Sequence, residues 1–92
     1  MENNEISQHE VMVYKVLLAN KNRWLTNGEI GKAVSEVAPR TIRHHTKRLV
    51  DLGLLDLAEV FPGHRYRLSE NAMKRNAAYT KRLESAAEVF SI

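Results

Sequence analysis

Residues 39–53 read PRTIRHHTKRLVDLG, and this stretch decides the fold. It predicts one helix over 39–52. Pro39 suits a first helical turn, where its missing N–H has no partner to lose. Gly53 suits the left-handed position just past a last turn. At about 100° per residue, Ile42, His45, Thr46, Leu49 and Leu52 fall on one side. Arg40, Arg43, His44 and Lys47 fall on the other, with Arg48 on the flank. Between Arg40 and Arg48 there are four formal positive charges and no acid. A helix with a packed back and a basic front at its N-terminal half is what a DNA major groove accepts. For an isolated basic helix, a merely solvated face is the plainer reading. The neighbouring elements decide between the two.

Working outward, the 92 residues make a single domain, 43% apolar and 27% charged, ordinary for a soluble globular chain. The apolar runs are too short to span a membrane, and no signal peptide is visible at the start. No cysteine is present, so disulfides and thiolate metal sites are excluded, which fits a cytoplasmic location. The net charge is +3 and the isoelectric point about 9.5. The charge is also sorted: residues 1–20 hold three acids and one lysine, while the bases gather in 39–48, 64–67 and 74–82. A sorted basic charge points to a polyanion more than an even one does.

Upstream, residues 1–6 read as a mobile polar arm. Ser7 and Glu10 have capping-box spacing for a helix over 7–20, whose apolar stripe is Val11, Tyr14, Leu17 and Leu18, widened by Val13 and Val16. Residues 23–26 fit a short strand. Thr26 and Glu29 form a second capping box, opening a helix over 27–35 that buries Ile30, Ala33 and Val34. Gly28 and Gly31 each weaken that helix by roughly 1 kcal/mol relative to alanine, so it must lean on tertiary packing, and Gly31 can admit a neighbouring helix closely.

Downstream, alternation in LLDLAEVF and HRYRLS around Pro62-Gly63 predicts a β-hairpin over 55–68, with Tyr66 and Leu68 inward and Arg65 and Arg67 outward. Ser69 can cap a last helix over 70–90. In it Ala72, Asn76, Tyr79, Leu83, Ala86 and Phe90 recur at alternating spacings of four and three, a seam interrupted at Asn76. One chain's core covers only part of so long a helix. The distal half is therefore expected to pair with a second copy, through Tyr79, Leu83, Ala86 and Phe90, with Tyr14 of the first helix alongside.

The order helix, strand, helix, turn, helix, hairpin, helix resembles the winged helix-turn-helix family of DNA-binding proteins, an α+β, mostly α fold. LTNGEIGKAV, VAPRTIRHHTKRLVDLGLL and HRYRLS carry the resemblance, which covers roughly Ser7 to Ser69. It is similar in particular to the small dimeric MarR and ArsR regulators, which implies a recognition helix at 39–52, a wing over the hairpin, and dimerisation through the first and last helices. Two positions depart from the pattern. Ala38 stands where a serine often caps the recognition helix, a loss of typically about 1 kcal/mol. Thr46 stands where leucine is usual, and its hydroxyl can bond back to the Ile42 carbonyl.

The expected DNA-contacting set follows. Arg40 and Arg43 read bases, since arginine can grip guanine with two bonds. Thr41 and Lys47 hold phosphates, Thr41 from the first turn at the positive end of the helix dipole and Lys47 from two turns further along the exposed face. His44 could meet a base, a phosphate or water, whereas His45 belongs to the core side. At the wing, His64 and Arg65 approach the backbone or the minor groove; Arg67 either joins them or makes an ion pair on the outer face of the sheet. Trp24 is expected as a core or interface anchor. Lys74 and Arg75 belong to a solvated face or lie near a phosphate.

A two-fold dimer of such a protein would occupy an inverted repeat with half-site centres about 10 bp apart, or a multiple of it. Occupancy alone would then block a promoter. The expected partners are double-stranded DNA and a second copy, with no membrane, metal or cofactor and no small-molecule effector indicated. The competing reading is a winged-helix protein-interaction module without base-specific binding; its exposed helix face would more often be apolar or mixed in charge. No phosphate-cradling glycine loop, paired-carboxylate site, HExxH run or nucleophile elbow is present, so an enzyme is not expected.

Overall fold

The structure is a computed structural model that describes residues 6–89. Residues 1–5 of the expected arm, and Phe90 of the expected seam, lie outside the described residues. The elements run α1 (Gln8–Ala19), β1 (Leu25–Thr26), α2 (Asn27–Ala33), α3 (Pro39–Asp51), β2 (Leu55–Ala58), β3 (Arg65–Leu68), α4 (Ala72–Arg75) and α5 (Ala77–Val89).

α1 is the hub. Val11, Met12, Val13, Tyr14 and Leu17 are all buried, so the helix is apolar on more than one side, and it packs against α2, α3, α5 and β3. Its start differs from the expected capping box. The Ser7 hydroxyl accepts from the His9 N–H at 3.2 Å, and Glu10 is buried instead of reaching back.

α2 opens with the expected box. The Glu29 N–H donates to Thr26 Oγ1 at 3.1 Å, and the Thr26 N–H donates to Glu29 Oε1 at 2.9 Å. Those bonds, the backbone one foremost, hold the Glu29 carboxyl below its ordinary pKa. The helix is two residues shorter than expected, and Ala33 faces solvent. Gly31 serves close packing: a Cβ there would stand 3.3 Å from Ile42 Cδ1 of α3.

α3 begins with Pro39 in its first turn and has no side-chain cap at Ala38. It ends as a Schellman motif. The Gly53 N–H donates to the Val50 carbonyl at 3.0 Å and the Leu54 N–H to the Leu49 carbonyl at 2.9 Å. Gly53 takes φ +91°, and an added Cβ would meet Arg75 Cβ at 3.0 Å. This turn delivers Leu54 and Leu55 into the core.

The sheet is antiparallel, in the order β1-β3-β2. Leu25 and Leu57 both face Tyr66 across β3, while Asp56 faces Arg67. β2 stops at Ala58, so residues 59–64 form the hairpin loop.

The expected single helix over 70–90 is two. Asn76 breaks it, with φ −156° and ψ 75°. Its Oδ1 accepts from the Tyr79 N–H at 3.2 Å, capping α5, and its Nδ2 donates to the Leu52 carbonyl at the end of α3. An asparagine can satisfy helix ends in this way, and here it turns α5 back across α1. Ser69 caps no helix directly; its Oγ accepts from the Asn71 N–H.

That turn packs the residues of the expected dimer seam within one copy. Tyr14, Tyr79 and Leu83 are buried in the chain's own core, and Ala86 is half-buried against it. These side chains are therefore already used within one copy.

Candidate nucleic-acid interface

The back of α3 is fixed before its front can be used. Ile42 and Leu49 are buried, and so is Thr46. The Thr46 hydroxyl stands 2.9 Å from Asn27 Oδ1 at the start of α2 and 3.2 Å from the Arg43 carbonyl. It thus ties α3 to α2, and the expected bond to the Ile42 carbonyl is replaced by this link. His45 is buried, as its side of the wheel implies. Its Nδ1 stands 2.8 Å from Glu10 Oε1. Glu10, only 2% exposed, also meets Arg48 Nε at 3.2 Å and accepts from the Tyr79 hydroxyl. One carboxylate therefore joins α1, α3 and α5. The guanidinium groups of Arg48 and Arg82 both lie near the Tyr79 ring, 5.6 and 5.4 Å from its centroid. Burial, and then the bond to Glu10, push the Tyr79 phenol up from its ordinary pKa. The hydrogen bond to Tyr79 raises that of Arg48.

With its back held, α3 exposes Arg40, Arg43, His44 and Lys47, while Thr41 is half-buried in the first turn. Lys47 Nζ reaches Asp51 Oδ2 at 3.3 Å, one turn on. Both partners are well exposed, so solvent and salt screen that pair.

A cleft of about 510 Å³ runs between α3 and the hairpin. Arg43 and Lys47 line it from the helix, His64 from the loop, and Val50, Leu57 and Tyr66 supply apolar lining. The structure therefore brings two of the expected helix cations together with one of the hairpin residues. Arg65 is exposed beside them in sequence but does not line the cleft, and Arg40 lies outside it at the start of the helix.

Arg67 takes the second of its two expected roles. It pairs with Asp56 at 3.4 Å and lies 4.2 Å over the Trp24 ring. Arg75 reaches the other oxygen of Asp56 at 3.3 Å. Trp24 is thus a surface platform for Arg67 and not a core anchor, and Arg75 braces the sheet.

The sequence reading missed Glu10 as a partner of α3, Thr46 with Asn27 as the link between the two helices, and Phe61. Phe61 stands at the loop tip and is 98% exposed. The apolar run before Pro62-Gly63 was its available signal.

Helix, strand, two helices in tandem and a hairpin flanking the second of them match known solved structures. MepR, a transcription regulator of the Staphylococcus aureus multidrug efflux pump MepA, superposes with a TM-score of 0.63 at 17% identity over 92% of this chain. The fold is a MarR-type winged helix-turn-helix. A possible transcriptional regulator from Methanosarcina mazei Go1 gives a TM-score of 0.64 at 16% identity over 95% of this chain. A MarR family protein from Bacillus stearothermophilus gives 0.57 at 22% identity over 95%. This chain spans 63% of MepR, 81% of the Methanosarcina protein and 61% of the Bacillus one. No protein-family model and no curated protein matches by sequence. In this fold α2 and α3 are the helix-turn-helix pair, and the hairpin beside α3 is the wing. Among the described residues, no helix is long and apolar enough to cross a membrane, and no cluster of histidine and carboxylate side chains could hold a metal ion.

Proposed function

We propose that this chain is a sequence-specific double-stranded DNA-binding transcriptional regulator that places α3 in the major groove. The observation that carries the reading is the division of α3 into two faces. Its back is held by Glu10, Asn27 and the core, and its front presents Arg40, Arg43, His44 and Lys47 to solvent. In this reading Arg40 and Arg43 contact base edges, Thr41 and Lys47 contact phosphates, and His64 and Arg65 carry the wing to the backbone or minor groove. The regulatory neighbours MepR and the Bacillus MarR family protein support the same use of the fold.

The working form in this reading is a cytoplasmic homodimer that represses by occupying an inverted repeat. Of the expected seam, Tyr14, Tyr79 and Leu83 are already packed within one copy. Exposed apolar groups remain at Leu18 of α1, Met73 of α4 and Val89 near the end of α5, and these are the contacts to test by sedimentation.

The deciding experiment is selection of duplexes from a randomised pool, followed by affinity titration against salt. Affinity should fall steeply as salt rises, because several phosphates are neutralised. Arg43→Ala should relax the preference at one base position by about 1–3 kcal/mol, and Lys47→Ala should weaken all sequences alike. If Arg40, Arg43 and Lys47 are all changed to alanine and the selected duplex still binds with full affinity, α3 is not the reading element.

A further inference from the structure

Phe61 takes no part in the core and is not one of the cations assigned to DNA. It stands in the wing loop of residues 59–64, beyond the last strand pair, Ala58 with Arg65. At 98% exposure it is far more open than the other large apolar residues of the loop and sheet, Val60 and Leu57. A single exposed apolar side chain is common on protein surfaces. Here, however, Val60, Phe61 and Pro62 form a continuous apolar tip. His64 and Arg65 follow within four residues. His64 also lines the cleft shared with Arg43 and Lys47. The tip therefore belongs to the same loop as His64, which faces Arg43 and Lys47 of α3 across the cleft. Glu59, the one acid of the loop, sits at its β2 end.

We propose that Phe61 is an apolar wedge for a DNA base step. With α3 in a major groove, the wing tip meets the minor groove next to it. There the phenyl ring partly unstacks one step and kinks the duplex, while His64 and Arg65 hold the flanking phosphates. Apolar side chains entering the minor groove act in this way in other proteins. The surrounding cations favour nucleic acid over an apolar protein surface as the occupant. Pyrimidine–purine steps, TA and CA/TG, unstack most easily. The wedge would therefore impose a preference for such a step at the wing position without any hydrogen bond to a base. This inference rests on the DNA reading above and adds a residue that determines specificity at a site α3 does not touch.

The test uses duplexes selected from a randomised pool by the full chain. A fluorescent purine analogue that brightens on unstacking is placed at successive flanking steps, and end-to-end energy transfer reports the bend. The wild-type protein should brighten the probe at one flanking step and shorten the end-to-end distance. Phe61→Ala should abolish both signals and lose the flexible-step preference. It should bind on the order of tenfold more weakly and still select the same major-groove bases. Phe61→Leu should restore most of the affinity and the bend. Since the side chain is exposed, both variants should keep the wild-type melting temperature. Equal affinity, equal bend and the same flanking bases for Phe61→Ala would overturn the wedge. So would loss of self-association in Phe61→Ala with unchanged DNA behaviour, which would make the tip a protein contact. Failure of the wild-type chain to select any duplex would remove the DNA reading itself, a result that no substitution at Phe61 can mimic.

Discussion

The underside of α3 and the wing are held by the same kinds of groups in opposite surroundings. Under α3, the Glu10 carboxylate is buried and gathers His45, Arg48 and Tyr79. On the wing, Asp56 gathers Arg67 and Arg75 in partial contact with solvent, with Trp24 beneath Arg67. Each is one acid serving several donors. Burial separates them: a carboxylate out of water must keep its partners, whereas one near water can exchange them for solvent. The difference gives α3 a fixed position relative to α1 and α5 and leaves the wing a lighter attachment. If α3 reads DNA as proposed, its side chains must be placed closely, whereas a wing that follows a deformable groove needs no such precision.

The largest expected effect comes from breaking the buried side. Glu10→Ala leaves the Tyr79 hydroxyl and His45 without their acceptor, while Arg48 can turn outward. The expected loss of folding stability is about 3 kcal/mol, the lower end of the range for breaking a buried pair. Denaturant titration measures it. A loss no larger than that of Asp56→Ala would mean that the two acids are equivalent and that burial does not set the contrast.

Tyr79→Phe sharpens the same point with a smaller change, about 1.5 kcal/mol for one hydrogen bond to a charged acceptor. It also carries a pH signature. Burial first, and the Glu10 bond second, raise the phenol pKa. The stabilisation is therefore complete below the ordinary phenol value and is lost as pH rises through the raised one. The stability gap between wild type and Tyr79→Phe should be flat near neutrality and close only at strongly alkaline pH. A gap that closes already at neutral pH would place its source in another group.

These two residues also mark where the sequence stopped being legible. Local signals read well. Pro39 and Gly53 bounded α3, Thr26 with Glu29 opened α2, and the spacing of Ile42, His45 and Leu49 placed the buried face. Each rests on chemistry within a turn or two of chain. The spacing of Glu10 from Ser7 suggests a cap because it is local, while the partners of Glu10 stand 35 to 69 positions away. Asn76 looks in sequence like an interruption in a seam, and the break it makes is what folds Tyr79 and Leu83 inward. Periodicity can identify an apolar stripe but not whose core fills it. At the interface, the exposed cations of α3 were legible from the helical wheel. The sharing of Asp56 between Arg67 and Arg75 was not, since it needs the register of β2 against β3 and the approach of α4 over Gly53.

Ala38→Ser tests the start of α3, which lacks a side-chain cap. Ala38 already has the extended backbone that a capping residue needs, with φ −63° and ψ 146°. A serine there can accept from a free N–H of the first turn, adding about 1 kcal/mol and raising the melting temperature. An unchanged or lower melting temperature would show that the first turn is satisfied in another way.

The smallest expected effect on global stability is on the wing side. Asp56→Ala frees Arg67 and Arg75, each of which can take up water, so the loss should stay below about 1 kcal/mol. Its local consequence should be larger than its global one. Arg67 would keep only the Trp24 ring, and Arg75 would keep only its packing over Gly53. Amide exchange should therefore quicken in β2 and β3 while α3 remains as protected as in the wild type, because α3 is held from the opposite side by Glu10. Equal loosening of α3 and the hairpin in Asp56→Ala would show that the wing and α3 open as one unit, and the contrast between a fixed α3 and a lightly held wing would fail.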